Sequence, residues 1–562
     1  MKSLRIVFVF AVALTVAASC NKQLSPLLNN PSVASPDAAD PDLYLNNLQL
    51  QFKNFYQDAS DFGDQLTRMQ IMYGPTYYNA YTPSSFDDIW NKAYLDVFKT
   101  ANTMIPIAEE KGEYTHAGIG QVLKAYTMLT LVDYFGDIPY AEANLGVTNT
   151  NPQVDKGNAV YDSALALLDS AIANFGKTAS KAPANDLFYG DKSSPATYWT
   201  KLAKTLKLKA YVATRLVDNT AAGKISALVT EDDLIDNASQ DFVFSYSTHS
   251  ASPDARSSHY VTNYGTDNGA QDYIGTYFMW MLRDEKSMHD PRTPYYLYRQ
   301  IDNINNDARL PDQTTTQFAI PCLYRTSPYP SGTCYCIVDN GFWGRDHGNN
   351  EGIPPDNSLR TTYGVYPAGG AFDANQNKAV GASSGRITGA GGNGINPIFL
   401  SSFTNFLKAE AALTLGTPGD PRSLLVSGVN ASFSKVAGFP ASIGYTLPTS
   451  DTNFLITPYK TAKYDSIVTG LYDAAASADQ KLNVIMKEYY LASWGNGVEP
   501  YNNYRRTGKP DNMQPTLGPS PGDFIRSFFY ASVYVDYNKS ATQKTVTNVK
   551  VFWDNNPDNF VH

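Results

Sequence analysis

The chain has 562 residues and a formal net charge of -9, with 44 lysines and arginines against 53 aspartates and glutamates. No stretch is rich in Lys and Arg, so the basic footprint of a nucleic-acid-binding protein is absent and nucleic acid is not an expected partner. Tyrosine is the commonest aromatic, with 39 residues against 27 Phe and 6 Trp. Tyrosine suits half-wet surfaces on which flat polar ligands stack, although composition alone fits ordinary packing as well.

The first twenty residues predict an export signal. A short basic start precedes an apolar run over residues 6–18, which is too short for a permanent membrane span. Small residues then lead directly into Cys20, as in the signals of bacterial lipoproteins. We therefore predict a signal peptide over residues 1–19, a lipid on Cys20 and a polar tether over residues 20–40. The alternative is a plain secretory signal in which Cys20 has no role.

Residues 41–240 have the periodicity of packed helices. Apolar residues recur every three or four positions, as over residues 86–104 and 161–175. One helix should end at Gly136, which tolerates a positive φ, because Pro139 then cannot continue it. Helices of this length joined by short turns predict tetratricopeptide-like pairs, although no strict repeat period is present.

Residues 241–400 differ in composition. Gly, Asn, Asp, Pro, Ser and Tyr dominate, and helical stripes are scarce apart from an aromatic segment at residues 273–283. A long irregular region inside a compact chain is usually functional, so we predict a ligand lobe in this part. Helical spacing returns over residues 401–562 and completes the same domain. The predicted fold is mainly α: a tetratricopeptide-like helical scaffold with a large, loop-rich, irregular lobe inserted.

Three further cysteines cluster in the lobe. In an exported protein two of them can pair, so Cys322 is predicted to form a disulfide with Cys334 or Cys336, which leaves one thiol over. A tetrahedral metal site would need a fourth ligand, and CxxC spacing is missing. We predict no cofactor. A structural calcium ion at the alternating Asn and Asp of residues 303–307 is a weaker alternative, because the glycine and distal glutamate of a calcium loop are absent.

Two catalytic motifs match formally and fail in context. Residues 518–522 match GxSxG, but prolines flank the serine and no strand is predicted before it. Residues 389–394 match GxGxxG without the strand-turn-helix unit that would aim a helix dipole at a pyrophosphate. The six histidines have no metal-binding spacing, whereas a carboxylate pair for glycoside hydrolysis stays open.

A family resemblance is carried by several short segments. Residues 134–142, Tyr-Phe-Gly-Asp-Ile-Pro-Tyr-Ala-Glu, resemble a hallmark of the SusD/RagB outer-membrane lipoproteins of Bacteroidetes. Seven more segments resemble segments of the same family and occur in the family's order. They are residues 90–102, 344–348, 354–356, 364–370, 409–411, 488–510 and 551–554. The resemblance implies a mainly helical, non-enzymatic protein that captures oligosaccharides or peptides and delivers them to a SusC-like TonB-dependent barrel transporter. It also implies a lipid-anchored position on the cell outer membrane, facing the exterior.

A capture protein of this kind needs an aromatic, polar platform. We predict ligand contacts by the lobe residues Trp343, Arg345, Tyr335, Tyr363, Tyr366, Tyr273 and Tyr264. Each of them could alternatively belong to the lobe core or tie down a loop. Structural roles are predicted for the family-like residues Gly136, Asp137, Pro139, Tyr140, Arg505 and Arg506. The rival functions are a lipid-anchored glycan hydrolase and a structural surface protein without a small ligand.

Overall fold

A computed structural model describes residues 40–302, 341–349, 359–516 and 520–561. Predictions on the lipidated Cys20, on Tyr335 and on the cysteines Cys322, Cys334 and Cys336 lie outside these residues. The signal peptide, the tether before residue 40, the calcium-like segment and residues 518–519 of the GxSxG match lie outside them too.

The N-terminal part of the scaffold begins with four helices. These are α1 (Pro41–Leu66), α2 (Tyr77–Ala80), α3 (Asp87–Asn91) and α4 (Lys99–Glu110), with a π-helical segment at Lys92–Phe98 that joins α3 to α4. The Asp40 carboxylate caps α1 by accepting from the Asp42 N–H at 3.1 Å. Thr82 and Ser85 form a capping box over a 3-10 turn, Pro83–Phe86, which leads directly into α3.

The next helices stack on one another in chain order. They are α5 (Tyr114–Phe135), α6 (Gly157–Phe175), α7 (Pro195–Ala213) and α8 (Ala221–Glu231). Helix α5 is buried on nearly every side, because α1, α4 and α6 all pack against it. It ends where predicted: Gly136 has φ +76° and its N–H donates to the Val132 carbonyl at 2.8 Å.

The inserted lobe is closed at its base by a two-stranded antiparallel sheet. Strand β1 (Phe242–Ser245) begins the lobe and pairs with β4 (Ile395–Phe399), which ends it. Between them lie β2 (Leu297–Tyr298) and β3 (Thr362–Tyr363), which pair antiparallel, and the short helices α9 (Ser258–Tyr264), α10 (Thr276–Arg283) and α11 (Thr293–Tyr296). The described remainder of residues 241–400 is turn and loop, as predicted.

Helices resume directly after β4. They are α12 (Ser401–Leu415), α13 (Pro421–Ser442), α14 (Pro458–Ala474), α15 (Ala478–Ala492), α16 (Val498–Thr507) and α17 (Ser532–Val535). Helix α16, which the apolar pattern misses, packs on α1 and joins the two helical parts. Residues 524–533 do not form the final helix that their apolar spacing predicts. That segment is mostly irregular, and Phe528 donates its N–H to the Tyr134 carbonyl at 2.8 Å instead.

One continuous hydrophobic core runs from α1 through the base of the lobe to α16. The prediction of a mainly helical fold is confirmed. Trp90, Trp199 and Trp494 lie in helical stripes or at helix ends of the sequence, which predicts packing roles, and all three are buried. Over the part of the chain that the structure describes, no helix combines the length and apolar character needed to cross a membrane.

Candidate functional site

The structure buries the described side chains of the predicted ligand platform. Their exposed fractions are 0 % for Tyr363, 1 % for Tyr264, Trp343, Arg345 and Tyr366, and 2 % for Tyr273. Stacking on a sugar requires an open ring face, so the expectation of an exposed platform at these residues is corrected. Their burial fits the alternative interpretation, in which these residues belong to the core of the lobe.

The physical reason is an aromatic stack between the lobe and the scaffold. The Tyr363 ring lies 4.4 Å from His259, nearly parallel to it, and 4.6 Å from Trp494. Trp494 in turn stacks on Phe278 of α10 at 4.6 Å. Tyr363 is therefore fixed between partners from α9 and from the segment after α15.

Trp343 and Arg345 hold a loop in place. The Arg360 guanidinium lies 4.0 Å from the Trp343 ring centre, and that of Arg345 lies 4.3 Å from the Tyr273 ring. The backbone of Arg345 donates to the Ile274 carbonyl at 3.0 Å and accepts from the Thr276 N–H at 2.8 Å. These contacts tie residues 341–349 to the start of α10, so removal of Trp343 would disturb packing as well as any ligand contact.

The family-like residues after α5 make structural bonds. The Asp137 carboxylate accepts a hydrogen bond from the Gly157 N–H at 2.9 Å and so satisfies the first backbone N–H of α6. The Pro139 carbonyl accepts from the Tyr94 hydroxyl at 2.7 Å. The Tyr140 N–H donates to the Asp155 carboxylate at 2.8 Å. This segment therefore fastens the turn between α5 and α6.

The two family-like arginines on α16 take different partners. Arg505 donates to the backbone carbonyls of Asp133 and Arg526 at 2.6 and 2.7 Å, as expected for an arginine that satisfies chain ends. Arg506 instead forms a buried fork with the Glu410 carboxylate of α12, at 2.9 and 2.6 Å. Both arginines thus connect scaffold segments.

A cleft at the seam between the lobe and the C-terminal helices is the better candidate for a ligand. We call it the lobe cleft; its volume is about 580 Å³. That size lies within the range of small-molecule sites. Its walls combine apolar, amide and cationic side chains, among them Arg283, Met288, Arg299, Phe342, Asp373, Asn375, Asn453, Phe454 and Lys460.

The carboxylates of the lobe cleft are already engaged by arginines. Asp373 accepts a fork from Arg299 at 2.6 and 2.9 Å. Asp290 accepts from Arg292 at 2.9 and 2.6 Å. Burial alone would raise the pKa of Asp290, but the Arg292 charge holds it below its usual value. A general acid needs a raised pKa, which Asp290 lacks, and Asp373 is held in its arginine fork, so both favour a structural role over glycoside hydrolysis.

Aromatic and cationic groups give the cleft its recognition chemistry. The guanidinium groups of Arg283 and Arg299 lie 4.2 and 4.8 Å from the Phe342 ring centre. The Lys460 ammonium donates to the carbonyls of Asn453 and Leu455 at 2.7 and 3.1 Å, and burial lowers its pKa. Over the described ranges, no cluster of three His, Cys, Asp or Glu residues is arranged to hold a metal ion.

Sequence reasoning missed the residues of this cleft. Asn453 and Phe454 lie in the loop between α13 and α14, inside the part that we predicted as helical scaffold. Phe342 directly precedes the predicted Trp343, and the two adjacent rings have different surroundings. An aromatic next to an amide in a polar loop is a weak signal, and only the fold brings it opposite Arg283.

Comparison with known proteins agrees with this architecture. A family model described as "Starch-binding associating with outer membrane" matches residues 33–310, and one described as "Susd and RagB outer membrane lipoprotein" matches residues 390–555. A comparison with curated proteins finds no match.

Solved structures share the fold over most of the chain. A SusD/RagB family protein from Bacteroides thetaiotaomicron has 19 % identity and a TM-score of 0.67, covering 92 % of this chain and 100 % of its own. A SusD homolog from Bacteroides fragilis has 16 % identity and a TM-score of 0.65, covering 92 % and 99 %. A chitin-binding SusD homolog from Flavobacterium johnsoniae has 17 % identity and a TM-score of 0.58, also covering 92 % and 99 %.

Fold and family models together define the class, an outer-membrane-associated protein built on a tetratricopeptide-like helical scaffold. The chain belongs to the SusD/RagB family, as its sequence segments indicated.

Proposed function

We propose that this protein captures oligosaccharides or peptides outside the cell and passes them, without turnover, to a SusC-like TonB-dependent barrel transporter. The observation that carries the proposal is the lobe cleft. It offers the half-buried ring of Phe454 beside polar groups, while its carboxylates are held by arginines. Aromatic faces with directional hydrogen bonds are the chemistry of glycan and peptide capture. The chitin-binding fold relative supports a glycan.

A lipid on Cys20 would keep the folded body at the outer membrane. Cys20 and its tether precede Asp40, where helix α1 is capped. A polar tether of this length is long enough to let the scaffold move relative to its anchor. The proposal therefore includes signal cleavage before Cys20 and a surface position for the lobe.

Changes in the lobe cleft are expected to weaken ligand binding. Loss of one ligand hydrogen bond costs about 1–1.5 kcal/mol, which is about tenfold in affinity. We therefore expect Asn453→Ala to raise the Kd about tenfold for the glycan or peptide that binds best in a calorimetric panel. Phe454→Leu, which removes an aromatic ring face, should also raise that Kd. Asn453 is exposed, so the first variant should fold normally.

The matched control is Asn555→Ala, which removes an exposed asparagine that does not line the cleft. It should leave the Kd unchanged. Equal affinities of the wild type and both cleft variants would contradict the assignment of the cleft. Cleavage of the bound glycan during the titration would contradict capture without turnover.

A barrel partner is expected to co-purify with the full-length lipoprotein. Detergent extraction of crosslinked outer membranes, followed by capture of a tagged chain, should yield a large TonB-dependent barrel identified by mass spectrometry. A Cys20→Ala chain lacks the lipid anchor, so it should no longer be found in the membrane fraction. Recovery of the tagged wild-type chain without any barrel would overturn the delivery part of the proposal.

A further inference from the structure

The lobe cleft is lined by more cationic than anionic side chains. With its histidine counted as neutral, the described lining contains the cations Arg283, Arg299 and Lys460 and the anions Asp290 and Asp373. The whole chain has a formal net charge of -9, so the cleft departs from the average of the molecule. The sign of its charge therefore bears on which ligands it attracts.

The two carboxylates of the lining are compensated without Lys460. Asp373 accepts the fork of Arg299, so these two charges cancel within the cleft. Asp290 accepts the fork of Arg292, which is fully buried and does not line the cleft. The positive charge of Lys460 is therefore left over.

Lys460 lies in the first turn of α14, and its ammonium is held in place but not neutralised. It donates to the carbonyls of Asn453 and Leu455 at 2.7 and 3.1 Å. Over the described ranges it makes no other hydrogen bond and no salt bridge, so one of its three N–H donors is unused. Because Lys460 is partly exposed and lines the cleft, a ligand can reach its ammonium.

Asp451 is a nearby carboxylate, and it does not take the place of a partner. Asp451 is exposed and accepts from the Asn453 N–H at 2.9 Å. Its charge favours the charged form of Lys460, but burial outweighs it and lowers the Lys460 pKa. A partly buried cation without a close counter-charge costs free energy, and an anionic group of a ligand would offset that cost.

A second donor faces the same cleft. The Asn375 side-chain oxygen accepts from the Arg299 guanidinium, which leaves the Asn375 NH2 group as a donor. An ionised carboxylate only accepts hydrogen bonds, so it matches an ammonium and an amide NH2 group better than a hydroxyl does. The half-buried Phe454 ring lies in the same lining and can pack against the apolar part of a ligand.

We propose that the lobe cleft selects ligands that carry a carboxylate, which accepts hydrogen bonds from the Lys460 ammonium and the Asn375 NH2 group. This inference rests on the proposed capture function and narrows it to acidic ligands. The carboxylate is the shared chemistry of two sources, uronic-acid oligosaccharides and peptides that contain Asp or Glu. A neutral ligand would leave Lys460 without a counter-charge.

Calorimetry with matched pairs of probes tests the selection. One pair is an oligogalacturonate and its methyl ester; the other is a Glu-containing peptide with blocked termini and its Gln analogue. We expect at least one acidic probe to bind about tenfold more tightly than its neutral partner, as expected for a hydrogen bond to a charged group. The preference should shrink in about 0.5 M salt, which screens the charges.

The pair that shows the preference identifies the source of the carboxylate. Equal or tighter binding of both neutral partners would overturn the inference and leave the capture function standing. Failure of all four probes would overturn the inference too, whereas the capture function depends on the wider ligand panel and on recovery of the barrel.

Variants of Lys460 separate recognition from loop structure. Lys460→Gln should weaken the acidic probe about tenfold and its neutral partner little, and Lys460→Arg should keep the preference because it keeps the charge. The matched control is Lys463→Gln, which removes an exposed charge of the same helix outside the cleft and should change neither affinity. Equal weakening of both probes by Lys460→Gln would assign Lys460 to holding the loop and overturn the proposal.

Discussion

Replacing Glu410 by alanine is expected to lower the free energy of unfolding by about 3–5 kcal/mol, since it removes the carboxylate shared by the two arginines of a buried ion cluster. Glu410 is fully buried on α12 and accepts a fork from Arg506 on α16. Arg215, which follows α7, lies 3.2 Å from the same carboxylate. The variant would leave two guanidinium groups buried without a counter-charge at the contact between the two helical parts.

Urea unfolding followed by circular dichroism measures this loss. The matched control is Asp473→Ala, which breaks the similar fork of Arg422 and Asp473 on the surface. That pair is about half exposed, so the control should change stability little. Equal effects of the two substitutions would contradict the assigned importance of burial.

The sign of the pH dependence follows from the direction of the Glu410 shift. Burial alone would raise the pKa of Glu410, but Arg506 and Arg215 hold it below its ordinary value. A group with a lowered folded pKa contributes its full stability above its unfolded pKa of about 4.3. The difference between wild type and Glu410→Ala should therefore persist from pH 7 to pH 5 and shrink as the pH falls further.

Local signals in the sequence predicted the parts of the fold that local physics decides. Gly136 and Gly416 end their helices with a positive φ, as their lack of a side chain allows. The helical stripes over residues 86–104 and 161–175 became helices because apolar spacing reports the buried face. Helix α16 was missed because it is buried on all sides among polar residues and has no apolar stripe.

For the candidate ligand site, the sequence could predict a region of the chain and not the residues that line the cleft. A lobe rich in Tyr and Trp looks the same in sequence whether its rings face a ligand or one another. Tyr363 was lost as a candidate because His259 and Trp494, both distant in sequence, cover its ring. Phe454 escaped notice because nothing in its local sequence reports that other segments fold beside it to form a cleft.

Replacing Asp64 by asparagine is expected to stabilise the protein by about 1–3 kcal/mol at pH 7, because it removes the free-energy cost of burying a carboxyl whose folded pKa is raised. Asp64 lies on α1 and is fully buried, and the Ser60 hydroxyl of the same helix is a nearby donor to its carboxylate. Burial raises its pKa well above the usual value, and the nearby Asp61 raises it further against the opposing charge of His259. The asparagine keeps the shape and removes the charge.

The expected gain depends on pH in a way that tests its cause. A carboxyl whose folded pKa is raised destabilises the fold above its unfolded pKa of about 3.9, and the penalty grows as the pH rises toward the folded pKa. Stability curves at several pH values should therefore show the gain of Asp64→Asn at pH 7 and its disappearance near pH 4.

The same substitution at Asp133 is the control with the opposite sign. Asp133 is equally buried, but its oxygens accept from Trp553 at 2.9 Å and from Asn502 at 2.7 Å. The NH2 group of an asparagine there would lie against the N–H donors of Trp553 or Asn502. Asp133→Asn should therefore destabilise the protein at pH 7. If Asp64→Asn also destabilised at every pH, the Asp64 carboxylate would need a bound partner, and its burial would have to be explained by function.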